Sequence, residues 1–345
     1  NYEKHIPYNK PYMTGNELEN IQGAYSNFQF AGDGTFTKKC NKWIESLTGT
    51  KKCLLTNSCT SALEIASILV NIQPGDEIIL PSFTFVSSAN SFVLRGGTPV
   101  FVDIKEDTLN IDENLIEAAI TKRTKAILVV HYAGISCEMD DICKIADQYN
   151  LLVIEDSAHG VCASYKGRPL GSIGDFGCFS FHETKNLISG HGGALLINND
   201  NYISRGEIVR DRGTNKNQFS EGKVDKYTWH DIGSSYIPGE LVAAFLWAQM
   251  ESAVFINETR ISIWNTYNEG LRGLQDQDII KLPFVPSYCE HNAHIFYILL
   301  KDLRSRDDFI SRMHEFSIDC VFHYLPLHSS PFGSQIIKNQ IELPI

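Results

Sequence analysis

The middle of the chain alternates short, continuously apolar runs with longer amphipathic stretches. Runs that are apolar at every position predict β-strands buried on both faces, as in a parallel sheet. The predicted strands are residues 77–80, 99–102, 126–130, 151–154, 176–181 and 194–197. The predicted helices between them are residues 60–70, 112–120 and 139–149. This alternation predicts an α/β fold with a mostly parallel sheet and helices on both of its faces.

The pattern changes after about Gly239. A long helical stretch, residues 240–271, is followed by two strand-like runs, residues 293–300 and 318–324. We therefore expect a large domain over residues 1–245, including an N-terminal arm, and a smaller α+β domain over residues 246–345. The last five residues, 341–345, read as an element that has been cut short, so we expect this domain to be incomplete at its end.

Composition and charge narrow the class of protein. The net charge of −11 argues against a nucleic-acid or anionic-membrane partner. The nine cysteines are scattered and odd in number, which favours reduced thiols over a disulfide framework. No apolar run is long enough to span a bilayer, and the N-terminal residues do not resemble a signal peptide. These features predict a cytoplasmic enzyme.

Two charged side chains lie where predicted strands end. Asp156 follows the strand at residues 151–154, and Lys185 follows the strand at residues 176–181. In α/β sheets, ligands bind beyond the carboxyl ends of the strands. A lysine that can form a Schiff base, together with a carboxylate that can hold a pyridine nitrogen protonated, is what a pyridoxal 5′-phosphate (PLP) enzyme requires. Taken singly, the lysine could be a solvated loop residue and the aspartate a turn cap.

Other candidate groups are individually ambiguous. Thr60 and Ser61 precede an apolar helix, whose N-terminus could bind a phosphate, although Ser and Thr are also ordinary N-caps. Phe85 could stack on a flat ring or pack in the core. His182 and His191 lack further ligands at metal spacing, so we expect no metal site.

The motifs occur in an order that resembles the DegT/DnrJ/EryC1/StrS family of sugar aminotransferases. The matching runs are residues 56–63, 73–77, 81–86, 99–103, 154–159 and 179–182, together with Lys185-Asn186. The resemblance covers nearly the whole chain. It implies the PLP-dependent transferase fold of type I, aspartate aminotransferase-like, with a mostly parallel mixed seven-stranded sheet. Residues 182–186, 225–229 and 231–236 most resemble the branch that makes dTDP-4-amino-4,6-dideoxygalactose.

The resemblance also implies roles for individual residues. Lys185 corresponds to the Schiff-base lysine and Asp156 to the partner of the pyridinium nitrogen. The remaining implied contacts are His159 near the 3′-oxygen of PLP, Phe85 stacked on its ring, Thr60, Ser61 and Ser180 at its phosphate, Ser235 reaching the phosphate of the partner subunit's cofactor, and His323, Tyr324 and His328 near the nucleotide sugar. Ser235 replaces a longer asparagine, and Gly190-His191-Gly192-Gly193 departs from the usual Gly-Glu-Gly-Gly.

The implied reaction is a transamination in which PLP cycles through pyridoxamine 5′-phosphate (PMP). L-Glutamate would donate the amino group to a dTDP-keto-sugar, dTDP-4-keto-6-deoxyglucose, giving a dTDP-4-amino-4,6-dideoxyhexose for O-antigen, enterobacterial common antigen or another surface glycan. The resemblance further implies a homodimer with active sites at the interface.

Four alternatives remain open. A 3-keto sugar would give a 3-amino-3,6-dideoxyhexose, and the cofactor motifs do not separate the two. Dehydratases of the family carry histidine in place of the lysine, so Lys185 favours transamination. A non-catalytic regulator would not need Lys185, Asp156 and Ser180 together. An NAD-linked oxidoreductase would fit the α/β pattern, but no Gly-x-Gly-x-x-Gly opens a helix.

Overall fold

A computed structural model describes residues 5–337 and 343–344. Ten strands form a large and a small sheet. They are β1 (Lys52–Thr56), β2 (Glu77–Pro81), β3 (Thr98–Val102), β4 (Thr124–Val130), β5 (Leu152–Asp156), β6 (Ser164–Tyr165), β7 (Arg168–Pro169), β8 (Phe176–Ser180), β9 (Gly193–Ile197) and β10 (Cys289–Glu290). The large sheet has seven strands in the order β1-β9-β8-β5-β4-β2-β3, and the small one has the order β10-β6-β7.

The large sheet is mixed but mostly parallel. Neighbouring strands from β8 to β3 are parallel, whereas β9 is antiparallel to both β1 and β8. The six predicted strands and the predicted seven-stranded α/β sheet are confirmed. β1 was not predicted, because its five residues begin with a lysine and end with a threonine and so contain only a short apolar run.

The described residues also form twelve α-helices. They are α1 (Glu17–Ser26), α2 (Thr35–Thr48), α3 (Cys59–Leu69), α4 (Val86–Val93), α5 (Glu113–Ala119), α6 (Met139–Tyr149), α7 (Ile203–Arg210), α8 (Lys216–Ser220), α9 (Glu240–Glu251), α10 (Ala253–Gln275), α11 (Leu303–Glu315) and α12 (Gly333–Ile336). The predicted helices at 60–70, 112–120 and 139–149 correspond to α3, α5 and α6. The helix predicted at 240–271 is two helices, α9 and α10, separated at Ser252.

Both faces of the sheet are covered. Leu128 packs in one apolar cluster with residues of α3, while its neighbours Ile127 and Val129 pack in another cluster with Met139 and residues of α6. Successive side chains of a strand point to opposite faces, so a strand covered on both sides must be apolar throughout. Burial on both faces therefore explains the continuous apolar runs.

The prediction of strands at 293–300 and 318–324 is wrong for the described residues. These segments form only isolated bridges, between Leu299 and Lys281 and between Ile318 and Ile6. At the start of the first segment, Ala293 has a φ of 50°, which interrupts extended geometry. The side chains on either side of it bind other side chains and loops rather than a sheet neighbour.

The predicted domain boundary at 245/246 lies inside α9, and the division into two domains stays a prediction. The expectation of a truncated C-terminal element falls largely outside the described residues. Across residues 5–337 and 343–344, no helix is both long and apolar enough to cross a membrane.

Candidate active site

The sheet brings the chemical groups predicted from the sequence to one edge. Asp156 is the last residue of β5, Ser180 the last of β8, and the loop after β1 leads directly into α3. Because these three strands run in the same direction, their carboxyl ends lie at the same edge. Gly193 opens the antiparallel β9 there, paired with Thr56 and Ser180.

Gly193 allows α3 to approach the sheet closely. A Cβ atom at this position would lie 2.3 Å from the carbonyl carbon of Ser58 and 2.4 Å from the backbone nitrogen of Cys59. These are backbone atoms at the start of α3, so no side-chain adjustment would relieve the clash. The glycine, part of the run 190–193, therefore permits the helix N-terminus to lie against β8 and β9.

Lys185 lies in the turn after β8, where its backbone N–H donates to the carbonyl of His182. Its side chain is partly buried. Burial lowers the pKa of the amine to about 8, although its interactions with Cys59 and Asp156 act in the opposite direction. The neutral amine, which is the form that acts as a nucleophile or base, is therefore far more populated near neutral pH than in an ordinary lysine.

Asp156 is 5% exposed. The hydroxyl of Ser88 donates to its Oδ2 at 2.6 Å, and the backbone N–H of Ala158 donates to its Oδ1 at 3.2 Å. Burial raises the pKa of this carboxyl, while these two hydrogen bonds and the Lys185 charge oppose the rise. Such a carboxylate gains from a cation placed against it. Sequence reasoning missed Ser88, which lies on α4.

The N-terminus of α3 carries Thr60 and Ser61, two of the residues predicted to bind the phosphate. Its N-cap is Ser58, whose side chain accepts from the backbone N–H of Ser61 at 3.1 Å. Thr60 and Ser61 are therefore first-turn residues rather than the cap. The Thr60 hydroxyl bonds that of Ser87 at 2.8 Å, and the Ser61 hydroxyl donates to Asn57 Oδ1 at 2.5 Å. The hydroxyl of Ser180, at the neighbouring strand end, accepts from the backbone N–H of His182 at 3.4 Å.

Ser235 is exposed and lies beside this helix N-terminus in its own chain. Its backbone carbonyl accepts from Asn57 Nδ2 at 3.2 Å, and the carbonyl of Tyr236 accepts from the Asn57 backbone N–H at 2.9 Å. The contact of Ser235 with the phosphate of a partner subunit's cofactor stays a prediction.

Phe85, which follows β2 in the chain, forms with Tyr324 and His323 a group of rings that we call the aromatic wall. Phe85 is 54% exposed, which leaves ring surface available, and its centroid lies 6.3 Å from that of Tyr324. Tyr324 stacks on His323 at 3.8 Å, and His323 Nδ1 bonds the hydroxyl of Tyr132 at 2.9 Å. Burial lowers the pKa of His323 to about 4, and the Lys185 charge adds to this. His323 is thus neutral at physiological pH.

His328 has a different environment from His323 and Tyr324. Its Nδ1 bonds the hydroxyl of Ser82 at 2.7 Å, and its backbone N–H donates to the same hydroxyl at 3.0 Å. Ser82 follows β2 directly. His328 therefore anchors its loop to the end of a central strand.

The site also contains a group of buried polar residues that we call the histidine–amide cluster, defined as His159, Asn186, Asn292 and His294. Each is at most 9% exposed. Asn292 Nδ2 donates to the carbonyls of His159 and Val161, both at 2.7 Å, and Asn186 Nδ2 donates to the Asn292 carbonyl at 2.8 Å. The sequence indicated only His159. The alternation of Asn292 and His294 at the start of an apolar run was the available signal for those two residues.

His182 and His191 lie close together near the Lys185 turn, with ring centroids 5.1 Å apart. Burial lowers the pKa of His182, and the His191 charge contributes in the same direction. Among the residues that the structure describes, no group of three or more His, Cys, Asp or Glu side chains could hold a metal ion.

The donor set fits PLP. The carboxylate of Asp156 suits a protonated ring nitrogen, and the N-terminus of the 11-residue α3 with the nearby hydroxyls suits a phosphate dianion. The partly neutral amine of Lys185 suits covalent attachment. Fold and site together define a PLP-dependent aminotransferase.

The chain belongs to the DegT/DnrJ/EryC1/StrS aminotransferase family, whose model matches residues 11–344. It is 33% identical over 337 residues to GDP-perosamine synthase of Caulobacter vibrioides, covering 96% of this chain and 88% of that protein. It is 32% identical over 334 residues to the spore coat polysaccharide biosynthesis protein SpsC of Bacillus subtilis, covering 95% and 85%.

The fold agrees with solved structures. Spr1654 of Streptococcus pneumoniae, described as a candidate sugar aminotransferase, is 26% identical in its PMP form, with a TM-score of 0.89 over 96% of this chain and 87% of that one. Its PLP form superposes with a TM-score of 0.88. The protein is therefore a PLP-dependent sugar aminotransferase that acts on small-molecule sugar and amino-donor substrates.

Proposed function

We propose that the protein transfers the amino group of L-glutamate to carbon 4 of dTDP-4-keto-6-deoxyglucose, giving a dTDP-4-amino-4,6-dideoxyhexose for lipopolysaccharide or another surface glycan. The observation that carries the transamination is the partly neutral amine of Lys185 beside the buried carboxylate of Asp156. The dTDP-4-keto substrate rests on the motifs at residues 182–186, 225–229 and 231–236.

Lys185 has two tasks in this reaction. PLP, when bound, supplies an electrophilic carbonyl and a ring that accepts electrons from the substrate carbon. The Lys185 amine tethers the cofactor between turnovers. Once displaced by the amino donor, the same amine moves the proton from the donor's Cα, because its lowered pKa leaves it free to accept a proton near neutral pH.

Asp156 stabilises the positive charge on the ring nitrogen. Pairing of a carboxylate with a cation favours the charged form of both groups. Ser88 and Ala158 already donate to this carboxylate, so the ionised form has fixed partners before any cofactor arrives. The helix N-terminus at Thr60 and Ser61, with Ser180, would hold the phosphate.

The sugar would meet the wall formed by Phe85, His323 and Tyr324. Neutral His323 and the tyrosine hydroxyls provide hydrogen-bonding groups without an added charge. His328 supports this wall by holding its loop to Ser82. We further propose a cytoplasmic homodimer in which Ser235 contributes to the partner's phosphate site.

Product analysis tests the proposal. The purified protein is incubated with PLP, L-glutamate and, separately, dTDP-4-keto-6-deoxyglucose, a dTDP-3-keto-6-deoxyhexose and a GDP-4-keto-6-deoxy sugar, and each product is analysed by NMR. The GDP arm is included because one relative is a GDP-perosamine synthase. We expect amination at carbon 4 of the dTDP sugar. Preferential amination of either other substrate would refute the assigned sugar.

The Lys185→Ala variant is the control for the chemistry. It should lose turnover and the absorbance band of the lysine-bound cofactor, because alanine lacks the amine that forms that covalent bond. Turnover at the wild-type rate in this variant would refute the role of Lys185.

A further inference from the structure

The histidine–amide cluster fixes which nitrogen of His294 carries a proton. Asn186 Nδ2 donates to the Asn292 carbonyl at 2.8 Å, which sets the orientation of the Asn186 amide. Asn186 Oδ1 therefore faces His294 Nδ1, also at 2.8 Å. Because an amide oxygen only accepts hydrogen bonds, His294 Nδ1 must be the donor.

His159 has the opposite arrangement. The backbone N–H of Ala133 donates to His159 Nδ1 at 3.2 Å, so this nitrogen carries no proton. A neutral His159 therefore has its proton on Nε2. The two rings lie with their centroids 4.1 Å apart and their planes at 32°.

Both rings are held neutral. Burial lowers the pKa of His159 and of His294 well below the ordinary value, and the nearby charges act in the same direction. The titratable groups near the two rings are Lys185 and His323 for both, Tyr132 for His159 and Arg260 for His294. Arg260 Nη2 also donates to the His294 carbonyl at 2.9 Å. A proton on His294 would be repelled by the positive charges of Lys185 and Arg260, and a proton on His159 by that of Lys185.

We propose that His294 is a positioning residue whose ring shields His159 from solvent, so that His159 stays neutral with its proton on Nε2, and that ties His159 to the Lys185 turn through Asn186. The inference rests on the proposed function, since His159 is the residue expected near the 3′-oxygen of PLP. An Nε2–H group is a donor suited to an anionic oxygen. Asn186 directly follows Lys185. One buried cluster therefore fixes both the Nε2–H donor of His159 and the backbone position of Lys185.

Two substitutions separate the two contacts of His294. His294→Phe keeps a flat ring against His159 but has no donor for Asn186. His294→Asn keeps an N–H donor for Asn186 but removes the ring. His314→Asn is the matched control, because it makes the same kind of substitution at an exposed histidine in the last turn of α11, outside the cluster.

The first measurement uses the apoprotein labelled with ¹⁵N-histidine and reads tautomers from two-bond ¹H–¹⁵N NMR spectra. We expect His159 as Nε2–H and His294 as Nδ1–H, both neutral from about pH 8 to about pH 5, where an ordinary histidine titrates. In His294→Asn, His159 should titrate closer to the ordinary value because solvent reaches the vacated space. His294→Phe and His314→Asn should leave the tautomer and the titration of His159 unchanged.

The second measurement is the rate at which Lys185 in the apoprotein captures PLP, followed by absorbance. His294→Phe should slow capture by about 10-fold, the equivalent of one lost hydrogen bond, whereas His294→Asn should remain within about 3-fold of wild type. Wild-type capture rates in His294→Phe, or a wild-type His159 with its proton on Nδ1, would overturn the proposal. A wild-type protein that never captures PLP would instead refute the proposed function, and the apoprotein spectra would still decide the tautomers.

Discussion

At the scale of single residues, the charge of Lys185 should control how the apoprotein takes up PLP. Burial lowers the pKa of this amine from the ordinary 10.5 to about 8. Only the neutral amine attacks an aldehyde. The rate of PLP capture should therefore rise with pH along a titration curve whose midpoint lies near pH 8. Stopped-flow absorbance across the pH range measures it. A midpoint near the ordinary lysine value would contradict the burial of Lys185.

The same shift predicts a pH dependence of stability. Between the folded pKa of about 8 and the unfolded value of 10.5, the unfolded chain binds more protons than the folded one. This group therefore makes the free energy of unfolding of the apoprotein increase with pH across that window. Urea unfolding at several pH values should show the increase in wild type and a smaller one in Lys185→Met.

Ser88 should matter for catalysis although it has no covalent role. Its hydroxyl donates to the buried carboxylate of Asp156 at 2.6 Å and so favours the ionised form. Hydrogen bonds to charged groups contribute about 1.5–3 kcal/mol, so Ser88→Ala should lower kcat by about 10-fold or more. Ser91→Ala is the matched control, since Ser91 is also buried on α4 and donates to a backbone carbonyl at 2.9 Å. Equal effects of the two variants would argue against a specific contact to Asp156.

The sequence indicated Lys185 and Asp156 because each follows an apolar run that can be recognised locally. Neither Ser88 nor His294 follows such a run, and their partners lie 68 and 108 residues away along the chain. Only the packing of the sheet and its loops brings these pairs together. A single serine or histidine in an apolar context has many ordinary roles, so pattern alone could not select them.

At the scale of elements, the start of α2 depends on a residue of α9. Glu240, the first residue of α9, is fully buried and accepts from the backbone N–H groups of Gly34, Phe36 and Thr37 and from the Thr37 hydroxyl. These are donors at a helix N-terminus that no intrahelical carbonyl satisfies. One carboxylate thus joins two helices on the same face of the sheet.

Removal of this carboxylate should destabilise the protein. Glu240→Ala leaves several buried N–H groups unpaired, at a cost of about 1–3 kcal/mol for each. Glu240→Gln keeps one acceptor oxygen and should cost less. Urea unfolding of the apoprotein measures both, with Glu251→Gln at the exposed end of α9 as the control. If Glu240→Ala were as stable as Glu251→Gln, the capping role would be wrong.

The elements differed in how far the sequence predicted them. The central strands were predicted because burial on both faces makes them apolar at every position, and β1 was missed because only its middle residues are apolar. In the C-terminal part, residues 293–300 look like a strand by composition. There the apolar side chains pack around Trp264 and Tyr132, and the backbone has few strand partners.

At the scale of the whole molecule, the site draws on segments from both ends of the chain. The backbone of Ile6 bonds those of Ser317 and Asp319, both at 2.9 Å, and His5 pairs with Asp319 at 3.0 Å. Asn9 Nδ2 donates to the Glu183 carbonyl at 3.0 Å, in the Lys185 turn. The N-terminal arm therefore connects the C-terminal part to the catalytic turn.

The proposed homodimer makes the position of Ser235 testable by mixing subunits. Ser235 lies beside Asn57 of its own chain, so it could serve either its own phosphate site or the partner's. Ser235→Asp places a like charge against the phosphate and should weaken PLP binding, and Lys185→Ala abolishes the covalent bond. Each variant alone should therefore be inactive.

In a two-fold dimer mixed at random from these two variants, about a quarter of all sites combine Lys185 of one subunit with Ser235 of the other. If Ser235 acts across the interface, those sites are intact and activity should return on mixing. If Ser235 acts within its own chain, every site lacks one group and the mixture stays inactive. A double variant carrying both substitutions, mixed with Lys185→Ala, is the control that should never recover, because neither subunit then provides Lys185.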